Sequence, residues 1–522
     1  MSQASPGSTA TTSSAVTRAV ATETGGTSPT TMRIGAILGP ALAVAMLWYG
    51  APEGLSPEGW RTLALLAWMV VWWLSEPVPI AATSLLPLVW LPLSGSTNAV
   101  DASAAYASPI VFLFVGGFMI AMAIERWGLH ERIALGMIAA VGTRPVALVG
   151  SFALASALLS MWISNTATTL MLIPTALGVA RAVAQCAGED GTGPGAGAGT
   201  AHTAGATTGT MPALATSLAL MVAWAASIGG IGTPVGSPTN LIAMGYLQKE
   251  GLRLDFAQWM LIAIPLMLLM LVSVWALLAW PLRGQRMSEG AARLLADRRR
   301  ALGPMRAPEQ RVLAVFALVA MAWMCAPLLK KIDGLQALND TAISIAGALL
   351  LFALPSGDPD APRARLLDWD TAVRIPWGVA LLFGGGLSVA AAMESHGISQ
   401  WLGTSLSGLR GLSPLLVLLA LAALTVLASE FMSNVATLAA FLPVVGAVSV
   451  ATGMPPLVLA FAASMSATLA FMMPAGTAPN AIAYGTGAIP IRRMIRTGLW
   501  LNLIGIAATA AVSTWWAPRV LG

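Results

Sequence analysis

Ser164-Asn165-Thr166-Ala167-Thr168, with Pro174 beyond it, returns later in the chain as Ser433-Asn434-Val435-Ala436-Thr437, with Pro443 beyond it. Both copies lie inside apolar runs, where an uncompensated polar side chain is costly, so a duplicated Ser-Asn pair marks a working site. The residue types suit the binding of an ion or an anion.

The repeat extends upstream and downstream. Leu113-Phe114-Val115-Gly116-Gly117, followed by Glu125 and Gly128, recurs as Leu382-Phe383-Gly384-Gly385-Gly386, followed by Glu394 and Gly397, in register with the Ser-Asn pair. Gly236-Ser237-Pro238-Thr239-Asn240 parallels Gly476-Thr477-Ala478-Pro479-Asn480 at a shorter offset. A Gly/Ala/Thr-rich insertion from Gly188 to Thr210 accounts for the difference. Matching broken hydrophobic segments in two halves of a chain point to the binding site of a secondary transporter.

Composition sets the class. The chain is 57% hydrophobic and 9% charged, with mean hydropathy +0.77, whereas soluble domains carry charge on about a quarter of their residues. Runs such as Ile34 to Trp48, Leu261 to Trp280 and Val312 to Met324 approach or reach the roughly 20 residues of a bilayer-crossing helix. None alternates with period two, which disfavours a β-barrel. Cys186 and Cys325 alone offer neither a disulfide framework nor a zinc cluster. The net charge of +5 falls in short clusters between apolar spans, which orient a membrane protein rather than bind nucleic acid.

The expected fold is an all-α polytopic membrane protein, an inverted-repeat transporter with two re-entrant helical hairpins. Residues 1–31 lack the charged start and apolar core of a signal peptide and are expected to be a disordered cytoplasmic tail. Residues 33–281 hold the first helix and first repeat: spans at 33–50, 60–75, 78–94 and 109–127, a hairpin over 144–182 tipped at 164–166, a helix over 212–247 broken between Gly229 and Asn240, and a span at 257–281. An Arg-rich linker, 282–309, follows. Residues 310–522 form the second repeat: spans at 310–330, 339–355 and 375–395, a hairpin over 413–449 tipped at 433–435, a broken helix over 455–486 and a last span at 494–516. That makes about 11 transmembrane helices, with the repeats in opposite orientation.

Basic residues orient the scheme. Arg283, Arg286, Arg293, Arg298, Arg299, Arg300 and Arg306 place the linker in the cytoplasm. The N-terminus is then cytoplasmic too, as are Arg363, Arg365, Arg374, Arg492, Arg493 and Arg496, while Glu53, Glu58 and Asp101 face outside. The protein is expected to be multi-pass in the cell's plasma or inner membrane.

A Ser-Asn-Thr tip supplies hydroxyls, an amide with donor and acceptor atoms, and backbone groups freed from helical bonding. A helix starting just after the tip favours an anion at its positive end. Carbonyls released at the preceding helix end favour a hard cation such as sodium, by analogy with the oxygen preference of calcium and magnesium. Helix-packing Ser and Asn are the plain alternative for one such motif; its duplication beside the paired Gly/Pro breaks argues for a site.

The two Ser-Asn motifs, the two breaks and Glu76-Pro77-Val78-Pro79 resemble the divalent anion/sodium symporters, carriers of dicarboxylates, citrate or sulfate, from about residue 33 onward. The resemblance implies two hairpin tips holding the substrate's carboxylates, sodium beside each tip, and a homodimeric scaffold past which a transport domain moves as an elevator. It assigns substrate contacts to Ser164, Asn165, Thr166, Ser433, Asn434 and Thr477, with Ser237 and Pro238 nearby and Val435 at the second tip. One sodium would lie by Ser160, Ser164, Asn165 and the Gly236 carbonyl, the other by Ser429, Asn434 and the carbonyls of Met432 and Gly476. Val435 departs from the family's Thr, exchanging a hydroxyl for a methyl. Thr239 and Ala478 stand where a Pro-Pro pair is usual.

The implied function is sodium-coupled symport of small dicarboxylates (succinate, malate or fumarate) by alternating access, with Na+ as coupling ion and no cofactor. A sodium-independent anion exchanger, a sulfate carrier and, further off, a cation/proton antiporter of the same fold are the alternatives. The sequence holds no nucleophile with its base and no paired catalytic carboxylates, so an enzyme is not expected. Glu430 beside the second tip is either a proton carrier or a partner for freed backbone N–H groups. Glu125 and Glu394 are read as helix-end structure. His130, His202 and His396 do not cluster, Gly191 to Thr200 lacks the Lys-Ser/Thr ending of a phosphate loop, and Trp72, Trp73, Trp515 and Trp516 are read as an interfacial belt.

Overall fold

Helix starts in this chain are written by caps and prolines. Ser56, Asn339 and Ser413 each accept a hydrogen bond from a backbone N–H in the first turn of the helix they precede, and Asp255 forms a reciprocal capping box with Gln258. Pro57, Pro109, Pro238, Pro414 and Pro456 occupy first turns, where a missing N–H costs nothing.

The computed structural model describes residues 29–140, 145–189, 210–283, 300–406, 408 and 411–521. Among them the protein is helical, without a named strand. In chain order the principal helices are α1 (Pro29–Tyr49), α2 (Pro57–Ser75), α3 (Leu86–Leu93), α4 (Pro109–Arg126), α5 (Leu129–Ala140), α6 (Pro145–Ser160), α7 (Asn165–Glu189), α8 (Thr210–Gly230), α9 (Pro238–Lys249) and α10 (Phe256–Ala279). After the linker come α11 (Ala307–Leu329), α12 (Asp340–Ala353), α13 (Trp377–Ser395), α14 (Ile398–Ser405), α15 (Pro414–Ser429), α16 (Asn434–Thr452), α17 (Pro456–Thr468), α18 (Ala478–Gly485) and α19 (Ile491–Ala511). Eight described helices are long and apolar enough to cross a membrane, and five shorter apolar ones accompany them. The starts of α5, α6 and α7 match those of α14, α15 and α16 at one constant offset.

Most of residues 1–31, the insertion from 190 to 209, Arg286, Arg293, Arg298, Arg299 and His202 lie outside the described residues. Helix α1 takes in residues 29–31.

Burial separates the middle of the molecule from its rim. The apolar window of α8 is 89% buried, against 17% for α1 and 28% for α11. Hence α8 is the protein's central post, and α1 and α11 turn Ile37, Val44, Leu318 and Met321 outward, as lipid-facing helices do. One large apolar cluster joins α4, α6, α8, α10, α17 and α19; a second joins Leu65, Met69 and Trp73 of α2 to Leu382 and Val389 of α13 and to Ala436 and Ala439 of α16.

Several sequence readings change in detail. The expected span over 78–94 is split at Ser84-Leu85. Pro87 cannot donate to the carbonyl of Thr83, and Tyr106 Oη donates to the Ser84 carbonyl. Short helices α5 and α14 follow Gly128 and Gly397, both with φ +67°. Trp73 is not an interfacial residue: it is 2% exposed, because its ring fills the second cluster and its Nε1 donates to Ser84 Oγ at 3.3 Å. Trp515 and Trp516 are exposed.

Gly229 lets α8 lie against α6, since a Cβ there would stand 2.2 Å from the Ala157 carbonyl oxygen and 2.5 Å from its Cα. Two backbones cannot yield to a methyl group in a packed interior, and overpacking of this kind costs about 1–3 kcal/mol. Gly229→Ala should therefore lower the melting temperature of the purified protein by several degrees. Gly136→Ala, with nothing within 4 Å of its built Cβ, should leave it unchanged or raise it, because alanine favours helix over glycine.

Candidate functional site

Each hairpin reverses at its Ser-Asn pair. Helix α6 ends at Ser160 and α7 begins at Asn165, with Ser164 Oγ accepting from the Ala167 N–H at 3.2 Å. Helix α15 ends at Ser429 and α16 begins at Asn434. The N-terminal ends of α7 and α16, with their partial positive charge, sit at the two tips.

Each tip faces a helix break held open in the same way. In the first, Asn240 Nδ2 donates to the carbonyls of Gly230 (2.8 Å) and Thr233 (2.7 Å). In the second, Asn480 Nδ2 donates to the carbonyls of Ala470 and Met473, both at 3.1 Å. These carbonyls have lost their helical partners, and the asparagine amide replaces them.

The first break and first tip meet around Asn165, whose amide lies 2.5 Å from Ser160 Oγ. Turned with its nitrogen toward Ser160, the amide also reaches the carbonyls of Ala226 (3.2 Å) and Gly236 (3.3 Å). A spot that gathers a hydroxyl and two carbonyl oxygens around one amide nitrogen is rich in acceptors, the donor set that a hard monovalent cation takes. Gly236 is required for the approach, because its Cβ would stand 2.9–3.0 Å from the carbonyls of Met161 and Ser160. Thr233 Oγ1 closes this corner by donating to the Met161 carbonyl and accepting from the Gly236 N–H.

The second corner has the same outline. Ser429 Oγ lies 2.9 Å from Asn434 Oδ1 and 2.5 Å from the Ala467 carbonyl, and the Cβ position of Gly476 is 3.0 Å from the Ser429 carbonyl. Of the residues singled out by sequence, Ser160, Asn165 and Gly236 are thus together, as are Ser429, Asn434 and Gly476. Thr477 caps α18 by accepting from the Asn480 N–H at 3.2 Å. Ser237 precedes α9 and is 3% exposed. Thr166 and Ser433 are partly exposed at their tips, and Pro238 opens α9. Val435 and Met432 pack their side chains against the second apolar cluster, so Val435 helps seal its tip against α2 and α13.

Glu430 does what its second reading foresaw. Its carboxylate accepts from the backbone N–H groups of Phe471 (2.8 Å), Met472 (2.9 Å) and Met473 (2.7 Å), and from Asn502 Nδ2 at 2.6 Å. Asn502 Oδ1 also accepts from Phe471 N at 3.2 Å. Sequence reasoning missed Asn502, a lone polar residue in the run Leu499 to Ile504, because its partner lies in another helix. The first break has Met161 at the matching place and closes through Thr233 instead.

Of the other titratable groups, Arg126 pairs with Asp368 and Arg132 with Glu309, and Tyr246, Lys249 and Glu250 lie within electrostatic reach of Glu394. His130 Nδ1 lies 3.2 Å from the Ile124 carbonyl, and His396 bridges Thr62 Oγ1 (3.1 Å) and the Ser96 carbonyl (2.9 Å). Glu125 and Glu394 are in the last turns of α4 and α13. Among the described residues no three His, Cys, Asp or Glu side chains form a metal-binding group.

Comparison with known proteins places the chain. The profile of the sodium:sulfate symporter transmembrane region matches residues 33–521. The sodium-dependent dicarboxylate transporters SdcS of Staphylococcus saprophyticus and Staphylococcus aureus are 36% identical to it over 493 residues, covering 94% of this chain and 92% of theirs. Among solved structures it resembles MtrF of Neisseria gonorrhoeae, of a class of antimetabolite efflux pumps (TM-score 0.55, 12% identity, 91% of this chain and 97% of that one). It also resembles the YdaH transporter of Alcanivorax borkumensis (TM-score 0.54, 13% identity, 93% and 97%). At such identities the structural likeness is one of fold.

Removing the Glu430 carboxylate strands the N–H groups of Met472 and Met473 and the Asn502 amide, and leaves Phe471 N–H only its longer bond to Asn502, at about 1–3 kcal/mol for each unsatisfied group. Glu430→Ala should lower the melting temperature strongly and abolish transport. Because the carboxylate is committed to fixed donors, transport by the unmodified protein should persist when the sodium gradient is kept and the proton gradient is collapsed with an uncoupler.

Proposed function

The chain belongs to the sodium:sulfate symporter family, and from that premise we propose that it is a secondary transporter, not an enzyme, that carries small dicarboxylates such as succinate, malate or fumarate together with sodium. The observation that carries this reading is the pair of acceptor-rich corners, Ser160-Asn165-Gly236 and Ser429-Asn434-Gly476, each beside a helix N-terminus. The name of the staphylococcal relatives supports the choice of substrate.

The electrostatics explain the coupling. No residue in either corner is positively charged, and a dicarboxylate brings two negative charges. A helix N-terminus contributes roughly half an elementary charge, so two tips offset only part of the anion. Sodium bound at Ser160, Ser164, the Gly236 carbonyl and Asn165, whose amide then turns its oxygen to the ion in place of its nitrogen, and at Ser429, Asn434 and the carbonyls of Met432 and Gly476, offsets the remainder. The anion then contacts Ser164, Asn165, Thr166, Ser433, Asn434 and Thr477, with Ser237, Pro238 and Val435 at the margin. Asn165 and Asn434 belong to both sets, and this sharing makes cation and anion affinity reciprocal.

The same reading takes 33–281 and 310–522 as inverted repeats, the N-terminus as cytoplasmic and the protein as a homodimer of the plasma or inner membrane. Transport then proceeds by an elevator movement of the hairpins and broken helices past α2, α4 and α13. A second reading, sulfate transport or sodium-independent exchange, draws on Val435, whose methyl groups replace a hydroxyl at the second tip.

Reconstituted into liposomes, the protein should accumulate labelled succinate under an inward sodium gradient and not under a matched potassium gradient. Equal uptake in both would refute sodium coupling, and intact counterflow without it would support exchange. Asn165→Ala and Asn434→Ala should each lose sodium dependence and succinate binding together. Val435→Thr, which restores a hydroxyl, should tighten succinate KM by about fivefold if the anion reaches that position, the value of one neutral hydrogen bond.

A further inference from the structure

Three buried hydroxyls form a continuous run between the two halves of the protein. Ser237 Oγ is 2.8 Å from Thr239 Oγ1, which is 3.0 Å from Thr468 Oγ1, which is 3.2 Å from the Ser464 carbonyl. Ser237 is 3% exposed, and Thr239 and Thr468 are fully enclosed. The run crosses from the first break to the end of α17. There the neighbouring Ala467 carbonyl takes the hydroxyl of Ser429, which also lies on Asn434.

The second break has no such run. Pro479 stands where Thr239 stands in the first, and the Thr477 hydroxyl is occupied by the N–H of Asn480. The bridge is therefore a property of Thr239 and not of the repeated motif.

A hydroxyl has one hydrogen, so fixing one end of the run fixes the whole. With Thr468 donating to the Ser464 carbonyl, Thr239 donates to Thr468 and Ser237 to Thr239, and Ser237 presents only lone pairs to a ligand. With the three hydrogens turned, Thr468 donates to Thr239, Thr239 to Ser237, and Ser237 donates outward. The reversal gives up only the 3.2 Å bond, the longest of the run, and gains a charge-assisted bond to a carboxylate. Hydroxyls in series also polarise one another, which strengthens the terminal donor.

We propose that Thr239 and Thr468 are positioning residues that orient the Ser237 hydroxyl toward the anion and tie it to cation occupancy at the second tip. The proposal rests on the transport reading above. A cation held by Ser429 Oγ and Asn434 Oδ1 would end the Ser429 hydroxyl's bond to Asn434 and leave its hydrogen the Ala467 carbonyl as sole acceptor. Thr468 is the next residue after Ala467, so a shift of that carbonyl on cation binding carries to the Thr468 hydroxyl and through Thr239 to Ser237.

The test is initial-rate uptake of labelled succinate in proteoliposomes, titrating succinate and sodium, for the unmodified protein, Thr239→Val, Thr468→Val, the double variant and Thr239→Ser. Valine keeps the shape of threonine and removes its hydroxyl. Each single valine variant should raise succinate KM about fivefold at saturating sodium, as expected for one neutral hydrogen bond, and raise the sodium concentration for half-maximal rate, with the maximal rate little changed. The double variant should be no worse than either single one, since both remove the same bridge, and Thr239→Ser should restore the unmodified KM. If Thr239→Val does not fold, Thr468→Val breaks the same bridge from the other helix. Unmodified KM and sodium dependence in the valine variants of a protein that transports would overturn the bridge alone, as would additive losses in the double variant. Absence of sodium-driven uptake by the unmodified protein would overturn the transport reading and the bridge's role in it together.

Discussion

A backbone that unwinds inside a membrane has no water to satisfy its peptide groups, and every other feature of the site follows from how this protein meets that demand. Asn240 and Asn480 take the carbonyls released at the two breaks, two apiece. Each amide commits both hydrogens to that task. The breaks are thereby closed by their own side chains, and the hairpin tips pack against them. Ser160 and Asn165 meet one break, and Ser429 and Asn434 the other.

The two breaks satisfy their N–H groups differently. Glu430 collects three of them in the second, braced by Asn502 from α19, and the side chain is 1% exposed. A carboxylate so placed is held by donors on every side, which compensates the cost of burying it. The first break has no charge at the corresponding place, and Thr233 completes its turn through a hydroxyl. Two corners that look alike at the level of Ser, Asn and Gly thus have unlike surroundings: a carboxyl group held by backbone N–H donors lies behind the second and a threonine hydroxyl behind the first.

Much of this was legible in the sequence because it is written twice. The tips at Ser164-Asn165 and Ser433-Asn434, the breaks before Asn240 and Asn480, and nearly every helix can be read from polar or Gly/Pro punctuation in apolar runs. The illegible parts share one cause, a partner in another element. Asn502 reads as an isolated polar residue until Glu430 is beside it. Thr239 reads as a departure from a Pro-Pro pair until Thr468 meets it. Trp73 reads like its neighbour Trp72 until α13 and α16 cover it. Helices α5 and α14 are too short for a periodic pattern to declare them, and only Gly128 and Gly397, each turning the chain with positive φ, mark their starts.

The differences between the halves bear on how an anion would lie in the proposed site. A symmetric pair of corners would hold a symmetric dianion equally well by either end. Here the first tip offers Thr166 and, behind it, the hydroxyl run from Ser237 to Thr468, while the second offers Val435 turned into the apolar cluster of α2 and α13. On the proposed transport reading, the hydroxyl run at the first tip and the valine beside Ser433 and Thr477 at the second would distinguish the two ends of a bound anion. On that reading, an unsymmetrical anion such as malate would lie with its own hydroxyl toward Ser237, because a polar group facing Val435 would be desolvated without a partner. Fumarate and succinate lack that hydroxyl and leave Ser237 to a carboxylate.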